Sequence, residues 1–298
     1  MDLREYSKFA NSTFRYCPPK CFELSGKSFE LQMDDGYDMV ISFADTTLEW
    51  NYLAKEPTAP QQETYECRKI DDTTYFVSYN LHDVTPKQNN VLVIDLEQML
   101  VTIMIAKIGT NPRWPYLITT EFVFGAIKQE GVPYQHYPRH CFTDDVTGNL
   151  VKWQYSPSMA TVHCYHDPKW YRITYPRDAR EQQSSGTNVV REAMKKLPSS
   201  DEPADYIKIK DGIYLISITE QNMEKLLGAE VGFRSDNMCF LDNFKTCMNV
   251  GRGFGTITNA DGEDRDVFLF LGAYGRIVDE DENEAYKQMM HDPIPFTV

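Results

Sequence analysis

Positive charge is what this sequence has too little of. Lys and Arg number 30 against 44 Asp and Glu, a formal net charge of −14, and no basic face interrupts the deficit. Nucleic acid and anionic membrane surfaces both need clustered cations, so neither is an expected partner. Long apolar runs are missing too. The longest, residues 99–106, falls far short of the ~20 residues that cross a bilayer, and the opening segment lacks the apolar stretch of a signal peptide. Cysteine is present but unframed: seven residues, an odd count with no regular spacing. That pattern reads as reduced thiols in a cytoplasmic protein.

Cofactor signatures are also absent. There is no Gly-x-x-x-x-Gly-Lys-Ser/Thr, and Gly251-Arg-Gly-Phe-Gly255 lacks both the spacing and the following helix of a dinucleotide loop. No Gly-x-Ser-x-Gly elbow occurs. Cys17 and Cys21 have no second cysteine pair, and the run from His163 to His166 sends alternate side chains to opposite strand faces. The expectation is no cofactor and no metal.

What the chain has in excess is aromatic rings, with 18 Tyr, 16 Phe and 4 Trp making 13% of it. Rings with a polar tip suit barrel walls and pocket linings. The dominant local pattern is period-two alternation between short turns. It predicts strands over 28–33, 39–43, 47–53, 64–70, 74–80, 91–95 and 100–105, with Asp34-Asp35-Gly36 as a hairpin turn. Residues 119–127 are ambiguous between a strand and something longer.

The second half repeats the first. An offset of 122 lays Gly26 on Gly148 and Phe43 on Tyr165, one of 139 lays Tyr75 on Tyr214, and one of 147 lays Asn90 on Asn237 and Asp95 on Asp242. The same 147 lays Gly125 on Gly272. Order is kept while the register shifts, as duplication of a β-domain would leave it. The expected domains are an N-terminal barrel over 1–130 and a C-terminal barrel over 139–298. An insertion at 177–203 would carry a short amphipathic helix at 187–197 and be either a lid or disordered. The acidic run 279–284 would open a terminal helix at 284–290.

Candidate chemistry lies in the second half. Strand alternation puts Trp153 and Tyr155 on one face, His163 and Tyr165 on another, and Tyr214 and Glu220 on a third. If all three face inward they enclose an acid–base site, with burial raising Glu220 and lowering His163 towards neutrality. Arg139 and His140 would hold an anionic substrate group at the mouth. Bland alternatives stand beside each. Inward rings and a lone histidine also serve as plain core, Glu220 could end its strand in solvent, and Arg252 is either an anion clamp or an exposed turn residue. The first half shows a nearly apolar inner set (Met39, Ile41, Phe43, Val77, Val91, Val93) with Trp50, Tyr75 and Tyr79 as its polar-tipped rings, so if one barrel acts and the other braces it, the second is the active one.

Leu24-Ser-Gly-Lys-Ser-Phe-Glu-Leu-Gln-Met-Asp-Asp-Gly36 followed by Phe43-Ala-Asp-Thr-Thr-Leu-Glu-Trp50 resembles the opening of the MoaF family, named for molybdenum cofactor biosynthesis protein F. Arg139-His-Cys-Phe-Thr-Asp-Asp-Val-Thr-Gly148, Trp153-Gln-Tyr-Ser156, His163-Cys-Tyr165 and Tyr206-Ile-Lys-Ile-Lys-Asp-Gly-Ile-Tyr214 look like that family's C-terminal domain. The resemblance implies an all-β protein of two tandem lipocalin-like (calycin) antiparallel β-barrels. It also implies a fold-level similarity to phenolic acid decarboxylases, which work without a cofactor.

The function expected is a cofactor-independent lyase, isomerase or cyclase on a small hydrophobic or aromatic, secondary-metabolite-like molecule. In it His163 or Glu220 moves a proton, Tyr155, Tyr165 and Tyr214 orient the substrate and Trp153 stacks on it. The alternatives are a non-catalytic carrier of a hydrophobic ligand and an accessory to molybdenum cofactor assembly. A homodimer is left open.

Overall fold

Period-two patterning becomes strand wherever it occurs. The structure, a computed structural model, describes residues 14–53, 60–82, 84–156, 159–174, 199–222 and 232–278. These fall into two units: residues 18–141 with 207–211, and the remaining described residues.

The first unit contains β1 (Ser28–Met33), β2 (Met39–Phe43), β3 (Thr47–Tyr52), β4 (Gln61–Lys69), β5 (Thr74–Leu81), β6 (Lys87–Asp95), β7 (Leu100–Ile108) and β8 (Ile118–Ile127). Each strand pairs antiparallel with the next, and β1 pairs with β8 through Leu31 and Ile127 to close the barrel. The ambiguous stretch near 119–127 is therefore plain strand. Every second residue turns inward, so Leu31, Ile41, Trp50, Val77, Leu92 and Val101 share one core. One expectation is corrected here. Val91 and Val93 are fully buried, but β6 supplies Leu92 and Ile94 to that core, which puts the two valines on the other face. A single turn of 3₁₀ helix, Tyr134–His136, follows β8.

The later strands are β9 (Cys141–Phe142), β10 (Leu150–Ser156), β11 (Met159–Asp167), β12 (Trp170–Thr174), β13 (Ser199–Lys210), β14 (Ile213–Thr219), β15 (Phe233–Asn243), β16 (Met248–Thr258) and β17 (Asp264–Ile277). Their order is β12-β11-β10-β17-β16-β15-β14-β13, and β12 pairs with β13 to close a second eight-stranded barrel, with β9 added beside β13. Residues 199–203, expected within the insertion, belong to β13. The rest of that insertion and the predicted C-terminal helix lie outside the described residues. Among the described residues no helix is long and apolar enough to cross a membrane.

The duplication is visible bond by bond. Leu31 pairs with Met39 and Trp153 with Thr161, an offset of 122. Gly26 N donates to Phe43 O at 2.8 Å and Gly148 N to Tyr165 O at 2.7 Å. Further along, Asn89 Nδ2 donates to Ser78 Oγ at 3.1 Å, and Asn237 Nδ2 to Ser217 Oγ at 3.0 Å. Asp95 Oδ1 accepts from Glu97 N, and Asn243 Oδ1 from Lys245 N. Met99 and Cys247 both take a positive φ, 56° and 49°. From Asn89 onward these matches have an offset of 148, not 147. Asp242 thus corresponds to Ile94 and Asn249 to Val101, both core residues of the first barrel.

Candidate functional site

Strand parity decides what the second barrel encloses. Val151, Trp153 and Tyr155 of β10, Tyr165 of β11, Tyr171 of β12, Tyr206 of β13, Tyr214, Ile216 and Ile218 of β14 and Phe240 of β15 form one buried cluster. His163 shares the face of Tyr165, Glu220 that of Tyr214, and Asp236 and Asp242 that of Phe240. The inward placement expected for Trp153, Tyr155, His163, Tyr165 and Tyr214 matches the structure. Glycine makes room opposite Trp153: a Cβ on Gly275 would stand 2.4 Å from its ring.

A polar chain runs through this aromatic interior. Trp153 Nε1 approaches Tyr165 OH at 3.5 Å, and Tyr165 OH donates to Asp242 Oδ2 at 2.8 Å. Strands β11 and β15 are not sheet neighbours, so the second bond crosses the lumen. Asp242 is fully buried. Burial pushes its carboxyl up to about 7, against the Tyr165 hydrogen bond and the nearby Asn249 amide, which favour the charged form. Tyr165 is pushed well above the usual phenol range, first by burial and then by the Asp242 charge. Among the described residues Asp242 Oδ1, both amide atoms of Asn249 and Thr161 Oγ1 are buried without a hydrogen-bond partner. Buried polar atoms are nearly always bonded, so such a group facing one lumen calls for a polar guest or water.

His163 sits among rings, its centroid 4.9 Å from Tyr171, 5.6 Å from Phe240, 6.2 Å from Tyr165 and 6.4 Å from Trp153. Burial alone lowers it to about 3, so its imidazole is neutral across the physiological range and is not poised near 7 as expected. Glu220 sits instead among carboxylates. It is half-buried just beyond β14, and its N–H donates to Asp236 O at 2.9 Å. Its carboxyl is raised well above the ordinary range by burial, then by Asp236 and Glu202. Asp236 is raised to about 7 by burial, with the Arg252 charge opposing. Glu202 is fully buried and accepts from Asn222 N at 2.8 Å.

Three expected binding residues have other surroundings. Arg139 and His140 group with the first barrel. There Arg139 Nε donates to both Asp34 oxygens, at 2.9 and 3.0 Å, and its guanidinium lies 4.1 Å from the Tyr134 ring centroid. His140 is buried with Nδ1 2.7 Å from Thr102 Oγ1, and burial lowers it to about 3. Arg252 is neither a turn residue nor a lumen clamp. It lies within β16, opposite Cys239, while its neighbour Gly251 faces the inward Phe240. The guanidinium therefore sits on the outer side of the sheet, fully buried, bonded to Asn237 O. Burial lowers its pKa to about 10.

Sequence reasoning missed Asp242, Asn249, Asp236 and Glu202. The signal that finds the first two is the repeat itself, read at its true offset.

Residues 2–110 match the family model of the MoaF N-terminal domain, a span that includes β1 to β7. The resemblance expected for the opening of the chain is borne out there. Among curated proteins none matches the chain.

Proposed function

Taking residues 2–110 as a MoaF N-terminal domain, we propose that the chain is a cofactor-independent acid–base enzyme whose second barrel holds a small aromatic or hydrophobic molecule. Its reaction would be a lyase, isomerase or cyclase step, carried out in the cytoplasm. Among the described residues Cys21, Cys67, Cys141, Cys164, Cys239 and Cys247 form no disulfide, which suits that reducing compartment.

The repeat carries this reading by serving as an internal reference. Ile41, Phe43, Ile94 and Val101 of the first barrel core correspond to His163, Tyr165, Asp242 and Asn249 of the second. The first barrel closes with apolar residues at these positions, so the fold does not require polar ones. Burying a polar group without a full set of bonds costs about 1–3 kcal/mol. Several such groups facing one lumen are best accounted for by chemistry.

In the proposed roles Asp242 is the proton-handling group. Tyr165 fixes one carboxyl oxygen, leaving Oδ1 to take a proton from the substrate and return it elsewhere or to a leaving group. A carboxyl near 7 is well matched to that task. Asn249, with both amide atoms unbonded among the described residues, orients a polar substituent, and the neutral His163 with Trp153, Tyr155 and Tyr214 encloses the ring. Glu220, kept protonated by burial and then by the charges of Asp236 and Glu202, is the second acid.

The test uses the purified full chain and a small-molecule extract of its own host, with masses followed over time. A compound should be converted to an isomer, or should lose a small neutral fragment, with wild-type protein and not with Asp242→Ile. Equal conversion by that variant would remove the assignment.

A further inference from the structure

The first barrel holds a cavity of about 180 Å³ that opens to solvent beside the exposed Tyr37. Its wall is built from rings and aliphatic side chains. Trp50 and Tyr52 meet at 5.3 Å between centroids, Tyr52 and Tyr37 at 5.7 Å, and Ile103, Ile105 and Val123 close the opposite side.

One polar chain enters this wall. Gln88 Nε2 donates to Asn90 Oδ1 at 2.9 Å, and Asn90 Nδ2 donates to Tyr79 OH at 3.2 Å. Tyr79 thereby accepts but has no acceptor of its own among the described residues. Burial raises it to about 12, so the phenol keeps its proton and is a standing donor. The charge pattern is as specific. No Lys, Arg or His lines the cavity, whereas Asp35 does. An anion would meet a carboxylate with no cation to pair with it.

Size sets the last limit. A dry cavity of roughly 150 Å³ accepts benzene, so this one takes a single ring with a small substituent. The second barrel does not repeat the site, since Asn90 and Gln88 correspond to Met238 and Asp236 at the established offset of 148.

We infer that the first barrel carries its own binding site for a neutral, single-ring aromatic molecule bearing a hydrogen-bond acceptor. The ring packs against Trp50 and Tyr52, and the acceptor receives a hydrogen bond from the Tyr79 hydroxyl.

Three probes of similar size test it by calorimetry on the full chain: acetophenone (neutral, with an acceptor), benzoate (anionic) and toluene (no acceptor). Acetophenone should bind with a Kd below about 1 mM, and benzoate should bind at least about tenfold more weakly. Tyr79→Phe should weaken acetophenone by about five- to tenfold and leave toluene unchanged. Val123→Phe, which fills the cavity, should abolish binding of all three at this site. The inference fails if benzoate binds as well as acetophenone, or if no probe binds. It fails equally if binding survives Val123→Phe in protein that still melts cooperatively. Should that variant not fold, retention of full acetophenone affinity by Tyr79→Phe overturns it instead.

Discussion

Tyr165 on β11 donates its phenolic proton to Asp242 on β15 across the lumen of the second barrel, 2.8 Å from oxygen to oxygen. Both residues are fully buried, and the bond joins strands separated by three others in the sheet. It therefore ties opposite walls together and fixes which carboxyl oxygen stays unbonded. Tyr165→Phe removes the donor while keeping the ring. Without that bond the Asp242 carboxyl should rise further above 7, since Tyr165 is what favours its charged form. The limb of the pH–rate profile that belongs to Asp242 is expected to move upward by about one unit, with turnover falling about 10- to 100-fold. A profile that keeps its shape would show that Tyr165 only packs.

Stability should report the same carboxyl independently of any substrate. Asp242 is held at about 7 in the fold against an ordinary 3.8. Between those values the native state binds more protons than the unfolded chain, so its contribution is fully present below 3.8 and is lost as pH rises through 7. Asp242→Ile restores the residue type of the first barrel and removes this dependence. At pH 8 the variant should be the more stable by up to ~4 kcal/mol. Near pH 4 that advantage vanishes, and the loss of an acceptor for Tyr165 should make the variant the weaker by about 1 kcal/mol. Urea unfolding across that pH range measures both ends. A difference that does not vary with pH would contradict a buried, titrating Asp242.

Trp153 depends on a glycine for its place. A Cβ at Gly275 would lie 2.4 Å from Cε3 and 2.6 Å from Cζ3 of the indole, and the ring is fully buried. Gly275→Ala should destabilise the protein by about 1–3 kcal/mol through overpacking. It should also shift Trp153 away from Tyr165, which near-ultraviolet circular dichroism would register. An unchanged spectrum together with unchanged stability would show that the ring moves freely.

Much of this architecture is legible in the sequence alone. Alternation locates the strands because period two survives wherever one face is buried, and the offset of 122 is correct because Leu31 and Trp153 fill the same inner position. The offset of 147 is wrong by one residue. Two adjacent asparagines, Asn89 and Asn90, each invite a match to Asn237, and Asp242 beside Asn243 invites a match to the turn residue Asp95. The bonds to Ser78 and Ser217 choose Asn89, and the turn role belongs to Asn243. A one-residue slip turns every side chain to the opposite face. For that reason Asp242 resembles a turn residue in the sequence, and Val91 and Val93 resemble internal ones. Arg139 and His140 are misplaced by sequence reasoning for a different reason. They precede β10 in the chain, but Asp34 and Thr102, which bind them, are distant in sequence and invisible to local patterning.

Arg139 offers a direct check on that correction. Its pair with Asp34 is partly exposed, at 22% and 41% of the side chains, so Arg139→Ala should cost only about 0–1 kcal/mol of stability. Turnover in the second barrel should be unchanged. A loss of substrate affinity without a loss of stability would return Arg139 to the substrate-binding role that its position in the chain suggests.

Glu220 closes the question of the second acid. It faces Asp236 across the β14–β15 ladder, with Glu202 also close enough to raise its pKa. Removing one charge from three should help the fold wherever the carboxyl would otherwise ionise. Glu220 is raised, so its contribution is present in acid and lost as pH climbs through the native value. Glu220→Gln is thus expected to raise the melting temperature in alkaline buffer and leave it unchanged near pH 4. Its effect on turnover separates a chemical role from a structural one. If Glu220 donates a proton, wild-type turnover falls on the alkaline side as the donor ionises, and the variant is slow at every pH without that fall. If the variant keeps full turnover while gaining alkaline stability, the acidic cluster only strains the barrel, and Asp242 must both take and return the proton.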